Sequence, residues 1–100
     1  MNLFDIDKIN KRIDELEAKI MQEGFWNDSK TSGIILQEMK FLKDKKSKFE
    51  KIDDQIKNLI ELNDLLLIEY DNELIKELFK NTKLIEEDIE KFEIETLLSR

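Results

Sequence analysis

Gly24-Phe25-Trp26-Asn27-Asp28-Ser29 decides how this chain folds. Before it an apolar residue returns every third or fourth position, and here that pattern stops. One of the two glycines stands next to an aromatic pair that includes the only tryptophan, and three helix-starting residues follow. Glycine readily takes the left-handed conformation that closes a helix. Asn, Asp and Ser side chains accept hydrogen bonds from the free amides of a new first turn. The stretch therefore reads as a corner between two helices, the second starting at Asn27, Asp28 or Ser29. Two large aromatics are costly to leave in water, so Trp26 at least is expected to plug the end of the fold. Truncating a buried Trp costs about 3–5 kcal/mol, enough to unfold a marginal small domain.

Ahead of the corner, Ile6, Ile9, Ile13, Leu16 and Ile20 are spaced by steps of three and four, mapping one apolar stripe on a helix over about 5–23. Leu3 and Phe4 are expected to seal its end, and Asp5 or Asp7 to cap it. Glu15 and Lys19, four apart in the favourable order, add weak support.

Beyond the corner, a second helix is expected over about 29–69. Read in sevens it gives Ile35, Leu42, Phe49, Ile56, Asn63 and Tyr70, with Ile52, Leu59 and Leu66 as a companion seam. Asn63 would be the one polar residue in that register, suited to fixing helix alignment. The companion seam falls on Glu38 and Lys45 in the first half, and Lys43–Lys51 is strongly basic, so any bend is expected near Lys45 to Ser47. Gly33 costs about 1 kcal/mol relative to Ala inside a helix.

Tyr70-Asp71-Asn72 makes the second reversal, with Asp71 or Asn72 as cap. The third helix, about 73–98, places Leu78, Ile85 and Phe92 in one set of sevens and Ile75, Thr82, Ile89 and Thr96 in the other. Leu74, Phe79 and Leu84 widen its apolar face, so contact with two neighbours is expected. Its acidic run, Glu86 to Glu95, is read as a solvated face rather than as the partner of the basic segment of helix two. Short connections between helices of such unequal length imply an all-α fold, an antiparallel, coiled-coil-like three-helix bundle forming a single domain over 1–100. Part of the long helix would overhang, and an apolar overhang invites docking.

Composition narrows function. A net charge of −7 opposes broad nucleic-acid binding, because phosphates are held mainly by Lys and Arg. With no Cys and no His, the chain lacks disulfides, thiolate nucleophiles, imidazole bases and the usual transition-metal ligands. Asp53-Asp54 and Glu86-Glu87-Asp88 read as solvated faces far more readily than as a divalent-ion site. Two isolated glycines make no phosphate loop. No catalytic, metal-binding or cofactor-binding residue is assigned, and the chain is expected not to be an enzyme. The N-terminus shows no signal-peptide pattern, and the longest apolar run, Leu65 to Ile68, is too short to span a bilayer. A cytoplasmic monomer without membrane contact is the expectation.

One resemblance goes further than periodicity. Leu3-Phe4-Asp5, Lys11-Arg12-Ile13, Glu15-Leu16-Glu17 and then Gly24-Phe25-Trp26-Asn27-Asp28 resemble the N-terminal domain of the bacterial release factor 2 family. Glu38-Met39-Lys40-Phe41-Leu42-Lys43, the Leu59–Leu67 run and Glu95-Thr96-Leu97-Leu98-Ser99 follow in matching order, so the likeness covers essentially the whole chain. The Phe-Trp pair separates it from the sister release factor 1 family. The resemblance implies a piece of a longer factor acting at UGA and UAA stop codons, with this piece near the base of the ribosomal stalk. The implied partners are the ribosome, through stalk-base proteins, and the parent factor's remaining domains, with no direct nucleic-acid contact. The family's Gly-Gly-Gln and Ser-Pro-Phe motifs do not occur here, so no hydrolytic or codon-reading residue is carried over. Two rivals remain, a stand-alone coiled-coil or chaperone-like helical module and an enzyme built from Asp, Glu, Lys and Tyr alone.

Overall fold

The computed structural model describes residues 3–98, without the side chains of Leu3 and Phe4. The sealing role expected of those two lies outside the described residues. Three α-helices and one short 3-10 turn make up the structure, with no strand among the described residues. They are α1 (Leu3–Ile20), the 3-10 turn Phe25–Asn27, α2 (Ser29–Ile68) and α3 (Asn72–Leu98). The chain divides into two compact units, Met1–Ser47 and Lys48–Arg100.

In the first unit, the stripe read from the sequence faces inward as expected. Ile9, Ile13 and Leu16 are buried, Leu16 completely, and Ile6 and Ile20 are half-buried at its ends. Replacing Leu16 by Ala would remove about 2–5 kcal/mol. Helix α1 ends three residues earlier than the spacing predicts. Its last turn loosens into the bonds Met21 N to Glu17 O and Gln22 N to Lys19 O, and Gly24 takes the left-handed torsion at φ 84°.

The corner corrects the sequence reading. Trp26 is 64% exposed, whereas Phe25 is half-buried. The physical reason is the 3-10 turn, closed by Asn27 N to Gly24 O at 3.0 Å. At three residues per turn, successive side chains point about 120° apart, so a turn that directs Phe25 inward directs Trp26 outward. The indole rests instead on Phe25, edge to face, with ring centroids 4.8 Å apart.

Asp28 is the cap of α2. Its Oδ1 accepts from the amides of Lys30 and Thr31, and its Oδ2 from the Thr31 hydroxyl at 2.7 Å. Helix α2 then runs 40 residues without interruption through the basic segment. Gly33 faces open space, so its cost is purely conformational.

In the second unit, α3 packs as the sevens predict. Ile85 and Phe92 are buried, and Ile75, Leu78, Thr82, Ile89 and Thr96 are half-buried. Thr82 and Thr96 satisfy their hydroxyls on the carbonyls of Leu78 and Phe92, four residues back. Asp71 caps α3 through the amides of Glu73 and Leu74. The pairing of α3 with the second half of α2 is antiparallel. Lys48 meets Glu95 and Gln55 meets Asp88, so as one number rises by seven the other falls by seven. Phe49 and Phe92 add a tilted ring contact at 6.5 Å.

In α2 the companion seam Ile52, Leu59 and Leu66 faces inward in sevens as expected, and the other row departs after Phe49. Ile56, Asn63 and Tyr70 are exposed, and the half-buried seam is Ile52, Gln55, Leu59, Leu62 and Leu66. A straight helix drifts about 20° per heptad, and here the drift carries the Asn63 row out and the Leu62 row in. Asn63 therefore stands in solvent and fixes no alignment. Phe79 and Leu84 are exposed too, so the wide face expected of α3 is not covered on those flanks.

Candidate interaction surfaces

The charged side chains brace each unit separately. In the first, the Arg12 guanidinium grips Glu38 with two prongs, Nε to Oε1 at 2.8 Å and Nη2 to Oε2 at 3.1 Å. Its third nitrogen, Nη1, reaches Glu15 at 3.0 Å. Lys43 lies 3.4 Å from Glu17. A planar fork on a carboxylate is the strongest form of ion pair, although water screens this one because both side chains are more than a third exposed. The Arg12 hydrogen bond holds the Glu38 carboxyl below its ordinary range, against the opposing effect of partial burial. The same bond, followed by the one to Glu15, raises the Arg12 guanidinium. At the cap, the Thr31 hydroxyl and then its amide lower the Asp28 carboxyl.

In the second unit, Lys48 Nζ and Glu95 Oε2 are 2.6 Å apart, and Gln55 Nε2 donates to Asp88 at 3.2 Å. The acidic run of α3 touches the basic segment of α2 at Lys48–Glu95, where both side chains are more than half exposed, and the run is otherwise solvated as expected, with Glu86, Glu87, Glu90 and Glu93 exposed. Lys57 pairs with Asp53 one turn away at 2.9 Å, and that hydrogen bond raises the Lys57 ammonium.

Asp53 is taken by Lys57 and Asp88 by Gln55, while Asp54, Glu86 and Glu87 stand exposed. Among the described residues, no three carboxylates gather closely enough to hold a metal ion. Two shallow hollows lie on the second hairpin, each of about 170 Å³. One is lined by Gln55, Asn58, Asn81, Leu84 and Ile85, the other by residues including Lys51, Lys91 and Phe92. Both fall below the roughly 300–1,000 Å³ of small-molecule sites.

What the structure does offer is exposed apolar surface. Trp26 and Met21 project from the corner region of the first unit, and Ile60, Leu67, Ile68, Tyr70 and Phe79 from the turn end of the second. Large apolar groups clustered in water mark places where another surface binds. The sequence signal for the second cluster is the companion seam Ile52, Leu59 and Leu66, which, joined by Leu62, leaves Ile60 and Leu67 outside. No helix of the described residues is long and apolar enough to cross a membrane.

Comparison with known proteins points in one direction. The family described as PCRF domain matches residues 9–100. Peptide chain release factor 2 of Clostridium perfringens is 35% identical over 96 residues, covering 96% of this chain and 26% of that protein. The protein of the same name from a Nitratiruptor species is 35% identical over 98 residues, 98% of this chain and 27% of its own length. That of Lactiplantibacillus plantarum is 30% identical over 95 residues, 95% and 25%. The chain thus spans about a quarter of the curated relatives it matches. No solved structure matches it significantly.

Proposed function

Because the chain belongs to the PCRF domain family, we propose that it works in translation termination, as the N-terminal helical domain of a class I peptide chain release factor of the type acting at UGA and UAA. The observation that carries this reading is the match along nearly the whole chain to proteins named peptide chain release factor 2. Its role is placement. The domain sets the factor on the ribosome near the stalk base through protein contacts, and the chemistry belongs to other domains of the parent factor. Neither Gly-Gly-Gln nor Ser-Pro-Phe occurs in these 100 residues, which fits that division of labour. On this reading the chain acts as a monomer in the cytoplasm.

Co-sedimentation tests the reading. The chain should pellet with bacterial 70S ribosomes whether a stop or a sense codon occupies the decoding site, because nothing in it reads a codon. Failure to pellet at tens of micromolar, or binding only to stop-codon complexes, would count against placement by this domain.

A further inference from the structure

We infer that one side of the α2–α3 hairpin is a docking groove for an acidic amphipathic helix of another protein. The two hollows of the second unit lie one heptad apart. On α2, Lys51 lines the first and Asn58 the second, and on α3 Lys91 and Phe92 line the first, Leu84 and Ile85 the second. Seven positions separate the members of each pair, which keeps them within about 20° of the same helix face. The Gln55–Asp88 hydrogen bond stands between the hollows, its donor lining one and its acceptor the other. The hollows are thus set about 10 Å apart along the hairpin, the rise of seven helical residues. A partner helix repeats that spacing, because its residues i and i+7 project from one face and enter the hollows as knobs enter holes. Each hollow, of about 170 Å³, takes a side chain rather than a whole small molecule.

Charge selects the occupant, and the lining itself carries that charge. Lys48, Lys51 and Lys91 line the first hollow together with Asp88 and Glu95. Glu95 is held by Lys48 at 2.6 Å and Asp88 by Gln55 at 3.2 Å. Lys51 and Lys91 are exposed and pair with no carboxylate among the described residues. The register that joins 48 to 95 and 55 to 88 sets 52 opposite 91. The two lysines therefore flank a floor of Ile52 and Phe92 from opposite helices. Carboxylates outside the lining are set off from them, Asp54 by about 60° around α2, Glu87 by about 40° around α3 and Asp44 by seven positions along α2. Two unanswered cations over an apolar floor fit a helix that seats an apolar side chain there and flanks it with Glu or Asp. The second hollow is uncharged, so the cationic tract that a nucleic acid or an anionic membrane needs does not continue along the groove. The inference rests on the hairpin alone, not on the termination reading.

The test uses the whole 100-residue chain, isotope-labelled, titrated with a synthetic 18-residue Ala-based helix. The peptide carries Leu at i and i+7, with Glu three and four positions to either side of the first Leu. Saturable amide shifts should concentrate at residues 48–58 and 81–95 and weaken as salt rises. Replacing the peptide's Glu by Gln, or moving its second Leu from i+7 to i+5, should weaken binding at least tenfold. The double variant Lys51→Gln, Lys91→Gln should lose binding to the same degree with an unchanged helical spectrum. Lys51→Arg with Lys91→Arg should retain it, which separates lost charge from lost fold, and the altered peptides keep the test decisive if the Gln variant misfolds. Shifts centred elsewhere, or equal affinity of the Gln variant or of either altered peptide, would overturn the inference. So would preference of the groove for an RNA oligonucleotide, for anionic vesicles or for a second copy of the chain. The two proposals fail separately. Ribosome pelleting can vanish while the peptide still fills the groove, and the groove can be inert while the chain still pellets.

Discussion

Gly24 holds φ at +84°, a torsion that side-chain-bearing residues resist, and it launches the short turn that sorts the two aromatics after it. Phe25 goes in and Trp26 goes out, because a tight 3-10 turn cannot point neighbouring side chains the same way. The indole then gains only its edge-to-face contact with Phe25, the kind of pair worth about 0.5–1.5 kcal/mol. Trp26→Ala should therefore cost about that much, well below the cost of removing a plug. The emission of Trp26 should lie near that of free tryptophan in buffer and be fully quenched by acrylamide. A blue-shifted, protected spectrum would show that the corner packs differently. Hydrophobicity marked both aromatics for burial, and it carries no information about which one a turn of unknown type turns inward.

At the level of elements, the patterns with the densest apolar periodicity were the ones legible in advance. The α1 stripe and both α3 sevens face inward, since every third-or-fourth position there is Ile, Leu, Phe or Thr and no competing row exists. In α2 two rows compete, and the one containing Asn63 lost to the one containing Leu59, Leu62 and Leu66. The ion pairs across helices were illegible for another reason, since their partners lie 26 and 47 residues apart and depend on register. The Arg12–Glu38 pair makes a pH prediction. Its carboxyl is depressed in the folded chain from an ordinary value of 4.5. The stabilisation is therefore complete above about that pH and is lost as pH falls through the lower folded value. The melting temperature followed by circular dichroism should drop more steeply between pH 5 and 3 for the parent chain than for Glu38→Gln. Parallel slopes would mean that the pair contributes nothing in solution.

For the molecule as a whole, the helical class, the number of helices and the family were all available from the sequence, because the corner motif and the caps Asp28 and Asp71 stand where helices end and begin. The exposed turn end of the second hairpin was not, since which apolar residues stay wet depends on how far α2 drifts from its sevens. The functional account makes this chain a scaffold that places a release factor and performs no hydrolysis. The most direct measurement is peptide release from stop-codon ribosomes, driven by a full-length bacterial release factor 2, as this chain is added in increasing amounts. The account predicts competitive slowing that extra full-length factor relieves, and no release from the chain alone. Release catalysed by the chain itself, or an unchanged rate at a large excess, would contradict it.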